Sequence, residues 1–282
     1  MRFGLTLPTG GPCADPTFLV DLAQRAERAG WDGVFLEDYV VFQGDPVAPT
    51  CDSWIALAGI AVGTSRIRIG TRVTPLARRR PWNVARQAVA VDRLAAGRMI
   101  LGAGLGDVDD HVGSDASFTH FGEQLDPRRR ARMLDEGLEI IAGLWSGEPF
   151  THEGECFEIE PVTFVPVPVQ KPRIPIWIGG GYPHRGPSAR AARWDGSALY
   201  RADGRELTPE DVGAIRAAAG DRPYDVTVGT HAGGGDRERE RLASLADAGA
   251  TWAVQYVPVS NPATMRAAVD RPPLRVDRSG GA

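Results

Sequence analysis

Apolar positions along the chain fall into two alternating kinds of run. Phe3 to Leu7 is short and apolar at most positions, as in a strand covered on both faces. The next run spaces Leu19, Leu22, Ala23, Ala26 and Ala29 along one helix face. Asp15 and Pro16 supply its N-cap and first position, and Gly30 stops it. Gly33 to Glu37 reads as a second strand, and Ser53 to Val62 as a second helix. Ile67, Ile69 and Val73 mark a third strand, and Pro81 opens a helix running through Val84 to Leu94. Met99 to Leu101 form a fourth strand that opens into Gly102, Gly104 and Gly106. The alternation continues with a helix over 131–145, a strand over 175–178, a helix over 188–193 and a strand over 196–199. It ends with a helix over 209–218, a strand over 225–228, a helix over 237–248, a strand over 251–257 and a helix over 262–269.

Eight strands, each followed by a helix, imply a parallel sheet. Eight such units close most naturally into a (β/α)8 TIM barrel, an α/β fold. An open doubly wound sheet is the alternative. Two stretches break the alternation. The polar segment 107–130 follows strand four, and 148–173 follows helix four. The second holds strand-like pieces at Cys156 to Ile159 and Val162 to Val165, then a proline-rich run. Insertions this long are either functional lids or disordered segments, and the first belongs to the C-terminal rim, where barrel active sites form. Residues 1–270 then make one barrel domain, and 271–282, rich in proline and glycine, a flexible tail.

Composition narrows the function. The net charge of −4 has mixed signs, so neither nucleic acid nor a membrane surface is an expected partner. No apolar run reaches membrane-spanning length, and Met1 to Pro8 is too brief for a signal peptide, so the chain reads as cytoplasmic. Three scattered cysteines, Cys13, Cys51 and Cys156, read as reduced thiols rather than a disulfide frame or zinc site. Lys171 is the only lysine, so lysine chemistry is nearly excluded and any phosphate falls to arginines, hydroxyls or backbone amides.

Gly102-Ala-Gly-Leu-Gly106 is followed by Asp107 and so misses a dinucleotide fingerprint. It is either a tight rim turn or a place of close approach to a flat ligand. Gly179-Gly-Gly181, between a strand end and a helix start, has the same two readings, with a phosphate as a further ligand. Arg78-Arg79-Arg80 is either a solvated cluster or an attractor for an anionic tail. Glu37 and Asp38 end the second strand, and an acid at such an end belongs more often to a site than to the scaffold; Asp38 is the stronger candidate, with Tyr39 beside it. His111 lies just past the glycine-rich loop. No histidines pair at metal-ligand spacing and there is no G-x-S-x-G elbow, so no metal site is expected. No acid, base and nucleophile set emerges, which favours chemistry carried by a bound cofactor.

Several segments resemble the luciferase-like flavin-dependent oxidoreductases in order and spacing. They are Ala29-Gly-Trp-Asp-Gly-Val34, Leu36-Glu-Asp-Tyr39, the block from Thr64 to Asp107, Leu134-Asp-Glu-Gly-Leu-Glu-Ile-Ile141 with Leu144-Trp-Ser-Gly147, and Pro175-Ile-Trp-Ile-Gly-Gly180 with Ala191-Ala-Arg-Trp-Asp-Gly196. The likeness is nearly continuous to about residue 200 and weak beyond. It implies a barrel whose C-terminal mouth binds reduced FMN or the deazaflavin coenzyme F420, with F420 preferred. It also implies hydride or oxygen transfer to a small organic substrate. The alternatives are a reduced-FMN-dependent monooxygenase and, from another class, a non-catalytic flavin-binding barrel. A homodimer and a separate flavin or F420 reductase are the partners the family brings into view. By resemblance, Asp38 lies near the reactive ring, with Tyr39 and His111 as further catalytic candidates. Gly70, Thr71, Arg72 and Val73 support the ring from strand three, where a bulge with a non-prolyl cis peptide is expected near Arg72–Val73. Gly104, Gly106 and Asp107 line the cofactor, and Gly179, Gly180 and Gly181 approach its phosphate side. Many deazaflavin members carry histidine after the strand-two acid, whereas this chain has Tyr39, which speaks against histidine-based alcohol oxidation.

Overall fold

Eight parallel strands form a closed ring in the computed structural model, which describes residues 1–45, 47–108, 117–231 and 233–276. They are β1 (Arg2–Leu7), β2 (Gly33–Leu36), β3 (Arg68–Thr71), β4 (Met99–Gly104), β5 (Ile176–Tyr182), β6 (Gly196–Arg201), β7 (Asp225–Thr230) and β8 (Trp252–Tyr256). Each pairs with the next, and β8 pairs with β1 in the register Phe3 to Ala253, which closes the barrel and excludes an open sheet. Outside lie α1 (Pro16–Ala29), α2 (Ser53–Gly63), α3 (Pro81–Leu94), α4 (Pro127–Leu144), α5 (Arg185–Ala191), α6 (Pro209–Ala218), α7 (Gly235–Asp247) and α8 (Pro262–Asp270). This is the TIM barrel that the alternation predicts.

Local chemistry sets the helix ends. Asp15, Asp52, Asp126, Thr208 and Asn261 each accept a first-turn backbone N–H, and Gly30 closes α1 in the left-handed region at φ 92°. The Asp126 cap moves the start of α4 to Pro127, ahead of the position 131 that periodicity marks. Helix α5 is likewise shifted to Arg185–Ala191.

Two apolar layers hold the barrel. Outward strand residues such as Phe3, Leu5, Leu7, Val34 and Leu36 pack under the helices. Inside, Phe35, Trp177 and Trp252 form a plug with ring centroids 5.2–5.7 Å apart. Glycines make room for it: a Cβ at Gly196 would lie 2.4 Å from the Trp177 ring. The plug fills the interior and leaves a cup at the strands' C-terminal ends.

The insertion after α4 is anchored near the starts of β3 and β4 through Gln170. It carries an antiparallel hairpin, Pro149–Glu153 with Glu158–Thr163, whose first strand is too polar to stand out in the sequence. Its end is clamped by the buried Asp92, which accepts from the Val169 N–H and the Gln170 side chain, while Gln170 donates to Met99 O. Over 271–276 the tail makes contacts with the barrel. Trp31 Nε1 donates to Arg271 O at 3.0 Å, Arg275 pairs with Asp32, and Leu274 and Val276 pack on the core. Residues 277–282 lie outside the described residues.

Candidate active site

Strand alternation identifies the wall of the mouth. Phe35 points inward on β2, so Glu37, two residues on, points inward above it. Trp252 and Val254 point inward on β8, so Tyr256 does too. The same count brings Tyr200 above Ala198 on β6. On β7, Thr227 meets the Arg72 side chain, which sets Gly229 above it, and a Cβ at Gly229 would meet nothing within 4 Å.

Strand β3 breaks after Thr71 and resumes at Thr74–Pro75, with a cis peptide between Arg72 and Val73, where the resemblance placed one. The break turns both side chains into the mouth. Arg72 reaches across the barrel, and its Nη1 donates to Thr227 Oγ1 on the opposite wall at 2.9 Å. Burial lowers its pKa to about 10, and no carboxylate among the described residues offsets that loss of solvation. Val73 packs on the interior cluster. Its methyls take the space beside three glycines: a Cβ at Gly104 would lie 2.6 Å from Val73 Cγ2, and one at Gly179 would lie 2.9 Å from Cγ1. At Gly102 the obstacle is backbone, Thr71 O at 2.1 Å.

The other glycine positions divide similarly. Gly106, at φ 78°, faces Phe118, and Gly180 faces Pro187. Gly181 faces His184. Gly70 sits at plug level, 2.0 Å from Ile100 O if it carried a Cβ, and Thr71 is buried with its hydroxyl donating to Gly102 O at 2.8 Å. Of the third-strand group, Arg72 and Val73 therefore line the mouth, while Gly70 and Thr71 hold strands together beneath it. Asp107 is exposed at the rim, where its charge helps raise the Tyr200 pKa after burial, the larger cause.

Asp38 lies at the rim with its side chain sealed. Arg79 Nη2 donates to Oδ1 at 2.6 Å, and Arg78 Nη2 donates to the Asp38 carbonyl at 2.6 Å. Those arginines, 5% and 16% exposed at the side chain, are not a solvated cluster. They fasten the loop after β2 to the loop after β3. Tyr39 stands edge-on to Phe42, with centroids 5.6 Å apart. His111 lies outside the described residues.

Glu37 is the inward acid. Burial pushes its pKa up to about 7, against a smaller lowering by the Tyr256 hydroxyl beside it. Its Oε2 is buried and has no hydrogen-bond partner among the described residues. Tyr256, in turn, accepts from Gln43 Nε2 at 3.1 Å, and burial and the Glu37 charge push its pKa to about 12. The sequence shows Glu37-Asp38 as adjacent acids, but Val34-Phe35-Leu36 is apolar throughout and does not say which faces the axis. Tyr256, Tyr200 and the reach of Arg72 to Thr227 carry no local signal. Among the described residues no group of three His, Cys, Asp or Glu could hold a metal.

The family model described as luciferase-like monooxygenase matches residues 1–270. The chain belongs to this family. It is therefore a member of a family of flavin- and F420-dependent oxidoreductases. It is 34% identical over 173 residues to an F420-dependent glucose-6-phosphate dehydrogenase of Kineococcus radiotolerans, covering 60% of this chain and 48% of that protein. The chain thus spans about half the length of the curated relatives it matches. Among solved structures, the F420-dependent tetrahydromethanopterin reductase of Methanopyrus kandleri superposes with TM-score 0.73 at 18% identity, over 96% of this chain and 97% of that one. A monooxygenase from Streptomyces bottropensis gives 0.73 at 21%, over 95% and 96%. At these identities the superpositions establish the shared barrel alone. No helix among the described residues is long and apolar enough to cross a membrane.

Proposed function

We propose that this luciferase-like barrel exchanges hydride between F420 and a small organic substrate held in its mouth. The observation that carries the proposal is Arg72, a half-buried cation spanning the floor of a cup with no carboxylate among the described residues to offset its loss of solvation. A cation so placed fits a ligand with an electron-rich, hydrogen-bond-accepting edge. The carbonyl edge of a flavin or deazaflavin ring is such a group. The surroundings suit a flat ring: Val73 offers an apolar support, and Gly229 leaves free space beside Arg72. Arg72 and Thr227 would hold the carbonyl edge, with Val73 under the ring and Asp107 and Tyr200 at the rim. Gly179 to Gly181 would lie toward the phosphate side. Bound there, the cofactor supplies two-electron chemistry, taking or giving a hydride. The chain's own residues would orient it.

F420 is the first choice because curated relatives such as the Kineococcus dehydrogenase are named for it. The matched family's own description, luciferase-like monooxygenase, favours reduced FMN with oxygen transfer as the second reading. Anaerobic fluorescence titration with F420 and FMN side by side separates the two. Micromolar binding of F420 is the expected result, and binding of FMN alone reverses the order. Cofactor binding without reduction or oxidation by any of a panel of alcohols, aldehydes and enones supports a non-catalytic binder.

A further inference from the structure

We infer that Glu37, and not the neighbouring Asp38, is the proton site of the mouth, the carboxyl that takes up and returns the substrate's proton when hydride moves. This rests on the hydride-transfer reading above. Three observations support it. First, the inward count from Phe35 directs Glu37 into the cup, while Asp38 is committed to Arg79 at 2.6 Å. Second, Glu37 Oε2 is buried without a partner among the described residues, so one lone-pair site remains for a ligand proton. Third, Tyr256 brings its hydroxyl to the Glu37 carboxyl from β8, and Gln43 donates to that hydroxyl oxygen. The amide leaves the phenolic hydrogen free to point at the carboxylate, which fixes the carboxyl's orientation.

Among the described residues, the titratable groups facing Glu37 are Tyr256 from β8 and Cys13 from the turn after β1. Burial drives the thiol to about 12, as it does the phenol, so both are neutral at pH 7. Asp38, on its own segment, is neutralised by Arg79. Glu37 is thus the one group of this cluster poised to gain or lose a proton near neutrality.

The chemistry balances without a further reagent. When a carbinol is oxidised, its C–H pair leaves as hydride to the bound ring. The O–H bonding pair becomes the second bond of C=O, and the released proton goes to the Glu37 carboxylate. In reverse, protonated Glu37 returns that proton to oxygen as carbon accepts the hydride.

The test reads protons directly and needs no substrate. Photoreduced FMN and chemically reduced F420, both anionic, are bound anaerobically to the full chain. Calorimetry in buffers of differing ionisation enthalpy gives proton uptake from pH 6 to 8. An anion arriving beside Glu37 raises its pKa further, so wild type should take up roughly 0.4 proton per bound cofactor near pH 7. Glu37→Gln should bind within about threefold of wild type and lose that uptake. Tyr256→Phe removes a hydroxyl that lowers the Glu37 pKa, so its uptake should persist with the midpoint moved to higher pH. Equal uptake by Glu37→Gln and wild type overturns the assignment to Glu37 while leaving the cofactor reading intact. Failure of wild type to bind either cofactor overturns the functional reading, and this inference with it.

Discussion

Replacing Asp38 with asparagine tests how the rim is built. The side chain is fully buried, and Arg79, 16% exposed, donates to Oδ1 at 2.6 Å. Arg78, 5% exposed, lies 3.8 Å from the same oxygen. Asparagine keeps the carbonyl acceptor and the backbone bond to Arg78. It removes the charge that compensates two mostly buried guanidiniums. Breaking a buried pair by neutralising one partner typically costs about 3–5 kcal/mol. Arg79 retains some solvent and has Asp52 at 4.0 Å, which lowers the expectation to about 2–3 kcal/mol. For a domain of this size that corresponds to a Tm lower by about 5–10 °C. Thermal unfolding followed by circular dichroism measures it. An Asp38→Asn/Arg79→Gln double variant should recover about 1 kcal/mol or more relative to the sum of the singles. A Tm within 1 °C of wild type, with additive singles, refutes the structural assignment and returns Asp38 to the list of candidate acids.

Glu37→Gln should have a stability effect that depends on pH. The folded carboxyl titrates near 7 against 4.5 unperturbed, so the folded state holds the proton more tightly. The stability that protonated Glu37 retains below about pH 4.5 is lost as pH rises to about 7. The variant should therefore gain up to about 3 kcal/mol over wild type at pH 8 and little at pH 4.5; a pH-independent difference in Tm argues against the buried acid. Gly102→Ala forces a Cβ to 2.1 Å from Thr71 O and should yield insoluble or strongly destabilised protein, whereas Gly229→Ala, with nothing within 4 Å, should melt within about 1 °C of wild type. Deleting 271–282 removes one of two acceptors of the Trp31 indole, Arg271 O, while Val269 O remains, and also removes the Arg275–Asp32 pair, so the Tm should fall by a few degrees; an unchanged Tm supports the flexible-tail expectation.

The barrel was legible because each unit carries its own punctuation. Asp15-Pro16, Gly30 and Pro81 mark helix ends through backbone chemistry that needs no tertiary context. The polar strand Pro149–Glu153 was hidden because its pairing partner, not its composition, makes it a strand. In the mouth, the resemblance located the bulge at Arg72–Val73, and the structure shows it there. The glycine runs gave no sign that many of their side-chain spaces are filled by Val73, Phe118 and Pro187. Nor does a sequence of adjacent acids reveal that one faces the axis and the other an arginine. That distinction requires the phase of the pleat, which a uniformly apolar strand conceals.

A crystal structure with F420 bound would show where the ring sits. The ring should lie in the C-terminal mouth against Val73, with the Arg72 guanidinium facing its carbonyl edge and Glu37 across the remaining space. A ring bound elsewhere, as in the 390 Å³ cavity between Phe3, Trp31 and Arg271–Leu274, would contradict it. So would a mouth that stays empty at saturating F420 and FMN.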